Sequence, residues 1–187
     1  MTIPQAIPFF STAANFAVSS DTPREFLERC LARLEAFEPG VGAFVCHDIA
    51  AARAATDRSS ARWRDGRPLS LIDGMPLGIK DIIETADMPT EQGSPLFVGW
   101  RTGRDAASVA ALREAGVVIL GKVVTTEFAA TEPRGTRNPW DRDEPGIFER
   151  GRKNTCAALA EVIVAAAAID PADARLEADA AAEARRP

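Results

Sequence analysis

The chain has 187 residues, 22 basic and 27 acidic side chains and a formal net charge of −5, a length that suits one domain with a substantial core. The acidic balance, without any block of five or more positive charges, argues against nucleic acid and anionic membrane surfaces as partners. Three widely spaced cysteines, Cys30, Cys46 and Cys156, and one histidine, His47, supply neither a disulfide framework nor a zinc ligand set, so no metal or other cofactor is expected.

Residues 1–21 read as an irregular leader. No Lys or Arg precedes Arg24, and Pro4 and Pro8 interrupt any apolar run, which argues against a secretory signal. The first clear helix begins at Thr22, because Thr22-Pro23-Arg24-Glu25 is a capping box with proline at the first helical position. Leu27, Cys30, Leu31 and Leu34 recur at helical spacing and mark its buried face, and Pro39-Gly40 is expected to end it. Val41 to Cys46 reads as a short strand. Ile49 to about Trp63 reads as an alanine-rich helix with arginines on its outer side, followed by a turn at Asp65-Gly66-Arg67-Pro68.

A second strand then runs to Lys80. Asp105 is expected to cap a helix reaching Ala115, with Gly116 in the left-handed position after it, and Val117 to Leu120 is a continuous apolar run of the kind found in buried strands. Helices alternating with such strands predict an α/β fold with helices flanking a largely internal sheet. After Asp141 the character changes: of the last 46 residues 14 are alanine and 6 arginine. Asn154 and Asp170-Pro171 offer two helix starts there. The uncharged run Val162 to Ile169 is far short of the ~20 residues of a membrane helix. A soluble, cytoplasmic protein is expected.

The residue with the most chemistry is Lys80, at the end of the run Asp73-Gly74-Met75-Pro76-Leu77-Gly78-Ile79-Lys80-Asp81. An amine in water has a pKa near ~10.4 and is a poor base, whereas burial lowers that value by several units. Such a base needs a nucleophile to activate. Taken alone, a lysine at a strand end extends to solvent and does nothing more. The sequence contains no serine after Ser108.

Four segments place the lysine in a wider pattern: Asp73 to Asp81, Gln92-Gly93-Ser94, Gly121-Lys122 through Thr126-Glu127-Phe128-Ala129, and Asn138-Pro139-Trp140-Asp141. In this order they resemble the amidase signature family, carbon–nitrogen hydrolases with a Ser–cis-Ser–Lys triad. The resemblance covers Pro68 to Asp141 well and the preceding helices more loosely. It implies the front part of that family's α/β fold, a mixed sheet flanked by helices and left incomplete, with Lys80 in the position of the catalytic lysine. In the family, Asn-Pro-Trp-Asp leads to a glycine- and serine-rich loop holding the cis serine, with the nucleophile further on. Here Asp141 is followed by Arg142-Asp143-Glu144-Pro145-Gly146-Ile147-Phe148.

The organisation expected is therefore a leader over 1–21, an amidase-like region over 22–141 and a divergent Ala/Arg-rich tail over 142–187. An abrupt break followed by alanine and arginine is what an out-of-frame reading of a GC-rich coding sequence gives, so a frameshift near codons 142 to 145 is expected. Complete relatives need several hundred residues and act on small-molecule amides; this chain is expected to be inactive for lack of the serine loop. The other reading is a non-catalytic binding or assembly module, self-associating through exposed sheet edges.

Competing sites carry less. Gly116 to Lys122 matches seven positions of a phosphate-binding loop, but Val123 offers no hydroxyl to magnesium and the intervening residues are strand formers, so Lys122 is expected to be structural. Cys46-His47-Asp48 suggests a triad, yet adjacent strand residues point to opposite faces. Cys156 lies in the segment that departs from the family. Ser108 is expected in the first turn of a helix and Ser94-Pro95 in a loop, neither at a family nucleophile position.

Overall fold

Start and stop signals in the sequence account for most of the elements in the computed structural model, which describes residues 7–130 and 135–137. Helix α1 spans Phe9–Ala17, α2 Pro23–Val41, α3 Ile49–Arg64 and α4 Ala107–Glu114; the strands are β1 Phe44–His47, β2 Pro76–Lys80 and β3 Val118–Val123.

The leader is not irregular throughout. Phe9, Ala13 and Phe16 stand at i, i+4 and i+7, and α1 buries all three. The Phe9 and Phe16 rings pack edge-on against Phe26 of α2, with centroids 5.3 and 6.4 Å away, and Phe16 also meets Trp63 of α3 at 5.7 Å. At the start of α2 the Thr22 hydroxyl accepts the Glu25 N–H at 3.1 Å, as the capping box requires. The other end departs from expectation: α2 runs through Pro39 to Val41. It stops at Gly42, whose φ of +62° is left-handed and whose N–H donates to the Glu38 carbonyl at 2.8 Å. Val41 is thus helical and β1 begins only at Phe44.

Strand β3 is central in the order β1-β3-β2. It is antiparallel to β1, with Cys46 opposite Lys122, and parallel to β2, with Ile79 opposite Lys122 and Lys80 opposite Val123. Every residue of β3 is buried. Val118 and Leu120 face Leu27 and Leu31 of α2 and Ala52 of α3, while Val117 and Ile119 face Val109 of α4, Ile79 and Met88. Helices therefore cover both faces of a mixed sheet, which explains why β3 is apolar without alternation.

Asp105 does not cap α4. The helix starts at Ala107 without a side-chain cap, and the Asp105 carboxylate instead accepts the Ala86 N–H at 2.8 Å and pairs with Arg113 at 2.9 Å. Gly116 has φ of +90°, as its place after the helix predicts.

Candidate active site

Lys80 is the last residue of β2. Its place is set by the parallel register with Val123 and by two backbone bonds around it: the Asp81 N–H donates to the Val123 carbonyl and the Ile83 N–H to the Lys80 carbonyl, each at 2.9 Å. The Lys80 side chain is half-buried among the described residues. The wholly buried lysine is Lys122, one strand over, with 0% exposure.

Lys122 and Asp81 form the polar centre of this region, one that sequence reasoning missed. Asp81 is 1% exposed, and its carboxylate lies 3.6 Å from the Lys122 ammonium. An ammonium has three donors, and Lys122 spends them on the Ile83 carbonyl at 2.8 Å, the Pro89 carbonyl at 3.1 Å and the Thr90 hydroxyl at 2.7 Å. Asp81 accepts the Glu91 N–H at 3.1 Å through its carboxylate and the Gln92 N–H at 2.9 Å through its carbonyl. Burial pushes the Asp81 carboxyl above the usual carboxylate range and the Lys122 amine below the usual lysine range, so desolvation outweighs their mutual attraction. The signal was a lysine inside an otherwise apolar strand, which must find its partners within the core.

The three motif segments within the described residues are knitted together here. Gly93, at φ +63°, sits where an added Cβ would meet the Thr125 carbonyl at 2.7 Å, so only glycine lets the two loops approach. The Phe128 N–H donates to the Gln92 carbonyl at 2.9 Å, and the Ser94 hydroxyl donates to the Glu127 carboxylate at 2.7 Å. A cavity of about 450 Å³ opens beside this junction, lined in part by Asp81, Gly93, Ser94, Thr125, Val45 and Val98. The fourth segment, Asn138 to Asp141, lies outside the described residues, as does Cys156.

The remaining candidates separate cleanly. Ser94 is committed to Glu127 and Ser108 lies on the exposed side of α4. Gly116 to Lys122 forms no phosphate loop, because Val118 to Lys122 are buried in β3. His47 is exposed, Asp48 caps α3 by accepting the Ala51 N–H at 2.8 Å, and burial raises the Cys46 thiol above its usual range, so these three build no triad. Cys30 is held inert by burial, its pKa pushed up to about 12. Among the described residues no group of three or more His, Cys, Asp or Glu is arranged for a metal, and no helix is long and apolar enough to cross a membrane.

Residues 25–145 match the family model described as Amidase, and with that span the chain belongs to the amidase family. It is 39% identical over 156 residues to a glutamyl-tRNA(Gln) amidotransferase subunit from Chloroflexus aggregans, covering 79% of this chain and 32% of that protein. It is 41% identical over 158 residues to the same subunit from Mycobacterium bovis strain BCG / Pasteur 1173P2, covering 79% and 31%. Among solved structures, the native peptide amidase of Stenotrophomonas maltophilia superposes with a TM-score of 0.63 at 28% identity, over 73% of this chain and 28% of the other. The chain thus spans about a third of the length of the curated relatives it matches.

Proposed function

We propose that this chain carries the lysine-bearing front portion of an amide C–N hydrolase, with Lys80 in the position of the base, and that it does not complete the triad. The observation that carries the reading is the junction around β2: Lys80 ends a strand whose following residue, Asp81, is bonded by the Gln92 N–H, and the Gln92-Gly93-Ser94 segment is in turn bonded to Glu127 and Phe128, so three of the motif segments meet at Lys80. In a complete site the neutral lysine draws a proton through a serine hydroxyl, a second serine attacks the amide carbonyl, and backbone N–H groups bind the oxyanion. No serine lies between Val109 and Pro187, and the two nearest before it are engaged or exposed elsewhere. The amidase-like region is read as 22–141 and the tail as 142–187, with a frameshift near codons 142 to 145 as its origin. The substrate of the complete relative is a small-molecule amide, met in a cytoplasmic setting.

Turnover by the purified 187-residue chain on simple aliphatic and aromatic amides tests this reading. No rate above a Lys80→Ala control is expected, since removing one member of a cooperating triad costs about as much as removing all of it. Turnover abolished by both Lys80→Ala and Cys156→Ala would overturn the reading and make Cys156 the nucleophile.

A second reading, a binding or assembly module, is favoured by one feature: β1 and β2 are both sheet edges among the described residues, and Val45, Leu96, Val98, Trp100 and Phe128 are exposed. Edge strands and apolar patches of this kind recruit partners or further copies of the chain.

A further inference from the structure

We propose that Lys122 is a positioning residue for Lys80, acting as a buried pin for the turn in which the Lys80 strand ends; this rests on the reading of Lys80 as the base. Lys80 closes β2 and Asp81 opens the turn that follows, with Lys80 half-buried and Asp81 wholly buried. Asp81 goes inward to Lys122. The Lys122 ammonium then reaches three points of the loop that follows, the Ile83 and Pro89 carbonyls and the Thr90 hydroxyl. Each point connects back to Lys80 within a residue or two: the Ile83 N–H bonds the Lys80 carbonyl, and the Glu91 and Gln92 N–H groups bond Asp81.

Stability alone is a weak reason for the arrangement. Two buried charges 3.6 Å apart gain little over an apolar pair of the same volume, because both lose their hydration. What an apolar residue cannot do is hold two carbonyls and a hydroxyl at fixed points while neutralising Asp81. Cys46 of β1, Asp87 and Glu91 are the other titratable groups whose fields reach the pair, and none of them donates a hydrogen bond to the Ile83 or Pro89 carbonyl. Without Lys122 the Asp81 carboxylate is a buried charge lacking its cation, and the turn has to open for water to reach it.

The test compares the unaltered chain with Lys122→Met, Lys122→Met/Asp81→Asn and Thr90→Val. Two quantities are read: native-state hydrogen exchange by residue, and the acylation rate of the Lys80 amine relative to Lys153, resolved by peptide mass spectrometry. For Lys122→Met, exchange at the Ile83 and Gln92 amides is expected to rise about tenfold or more with α2 and α3 unaffected, and the Lys80 rate to change about threefold or more. Adding Asp81→Asn removes the stranded charge and is expected to recover at least about half of both effects on a logarithmic scale, which a loss of packing volume would not do. If Lys122→Met does not fold, Thr90→Val carries the test, with the same two amides loosened about threefold and the Lys80 rate shifted. A Lys80 rate unchanged beside a loosened turn, or protection lost equally across α2 and α3, would overturn the proposal. Neither readout is amide turnover, so a failure of Lys80 as base leaves this result standing and is seen separately in the activity assay.

Discussion

Single residues decide how the Lys80 strand enters the sheet, and Asp73 is the clearest case. Its carboxylate, 0% exposed, is held by the Arg62 guanidinium at 2.8 and 2.6 Å and by the Leu69 N–H at 3.0 Å, just before β2 begins. Burial alone would raise its pKa, but the Arg62 hydrogen bonds, the Leu69 N–H and the Arg62 charge together hold it below the usual carboxylate range. A depressed folded pKa means stability that is present above the unfolded value of ~3.9 and lost as pH falls through the folded value. Arg62→Met is therefore expected to cost about 3 kcal/mol at pH 7 in urea unfolding, the low end for a broken buried pair because Arg62 is 29% exposed, with the gap narrowing below pH ~4. Equal destabilisation at pH 7 and pH 3 would show that the charge pair is not the source. Gly116 makes the same point through sterics. At φ +90° an added Cβ would also lie 2.7 Å from the Asp73 carboxyl carbon, so Gly116→Ala is expected to cost more than the ~1–2 kcal/mol of the backbone term alone, read as a fall in the unfolding midpoint.

Elements show where sequence was sufficient and where it was not. The capping box at Thr22 is local chemistry, so it was readable; Thr22→Ala is expected to cost about 1 kcal/mol, measured by thermal unfolding, and no loss would mean that tertiary packing alone fixes this end. The alternation of α3, β2, α4 and β3 was readable for the same reason, from periodicity and bounding glycines. Helix α1 was hidden because two prolines and a polar stretch outweighed the spacing of Phe9, Ala13 and Phe16, whose value appears only once Phe26 is there to meet them. The end of α2 was misplaced because Pro39, although it removes one i→i−4 bond, falls so late in the helix that it does not end it, and the left-handed Gly42 does the stopping. At the site, the place of Lys80 at the end of a strand was legible from its motif. The partners of Lys122 were not: its place in an apolar strand signalled that partners had to exist within the core, but two of the three groups it donates to are loop carbonyls, which carry no side-chain signal.

At the scale of the whole molecule, the chain belongs to the amidase family and has part of its α/β fold, and the proposed function goes one step further, to a chain that holds the base of an amide hydrolase without the serines the base would serve. The tail bears on that claim through its origin. Translating the coding sequence in the other two forward frames from codons 142 to 145 is expected to reveal a glycine- and serine-rich loop in one of them; its absence from both would make the tail genuine and favour the binding module. The most direct measurement is made on a chimera in which residues 22–141 of this chain replace the corresponding part of a complete amidase that keeps its own serine loop. The folded chimera is expected to hydrolyse amides, and Lys80→Ala within it to lower kcat/KM by about 10³-fold or more. A folded, active chimera whose rate Lys80→Ala leaves within about threefold would contradict the assignment of Lys80 as the base.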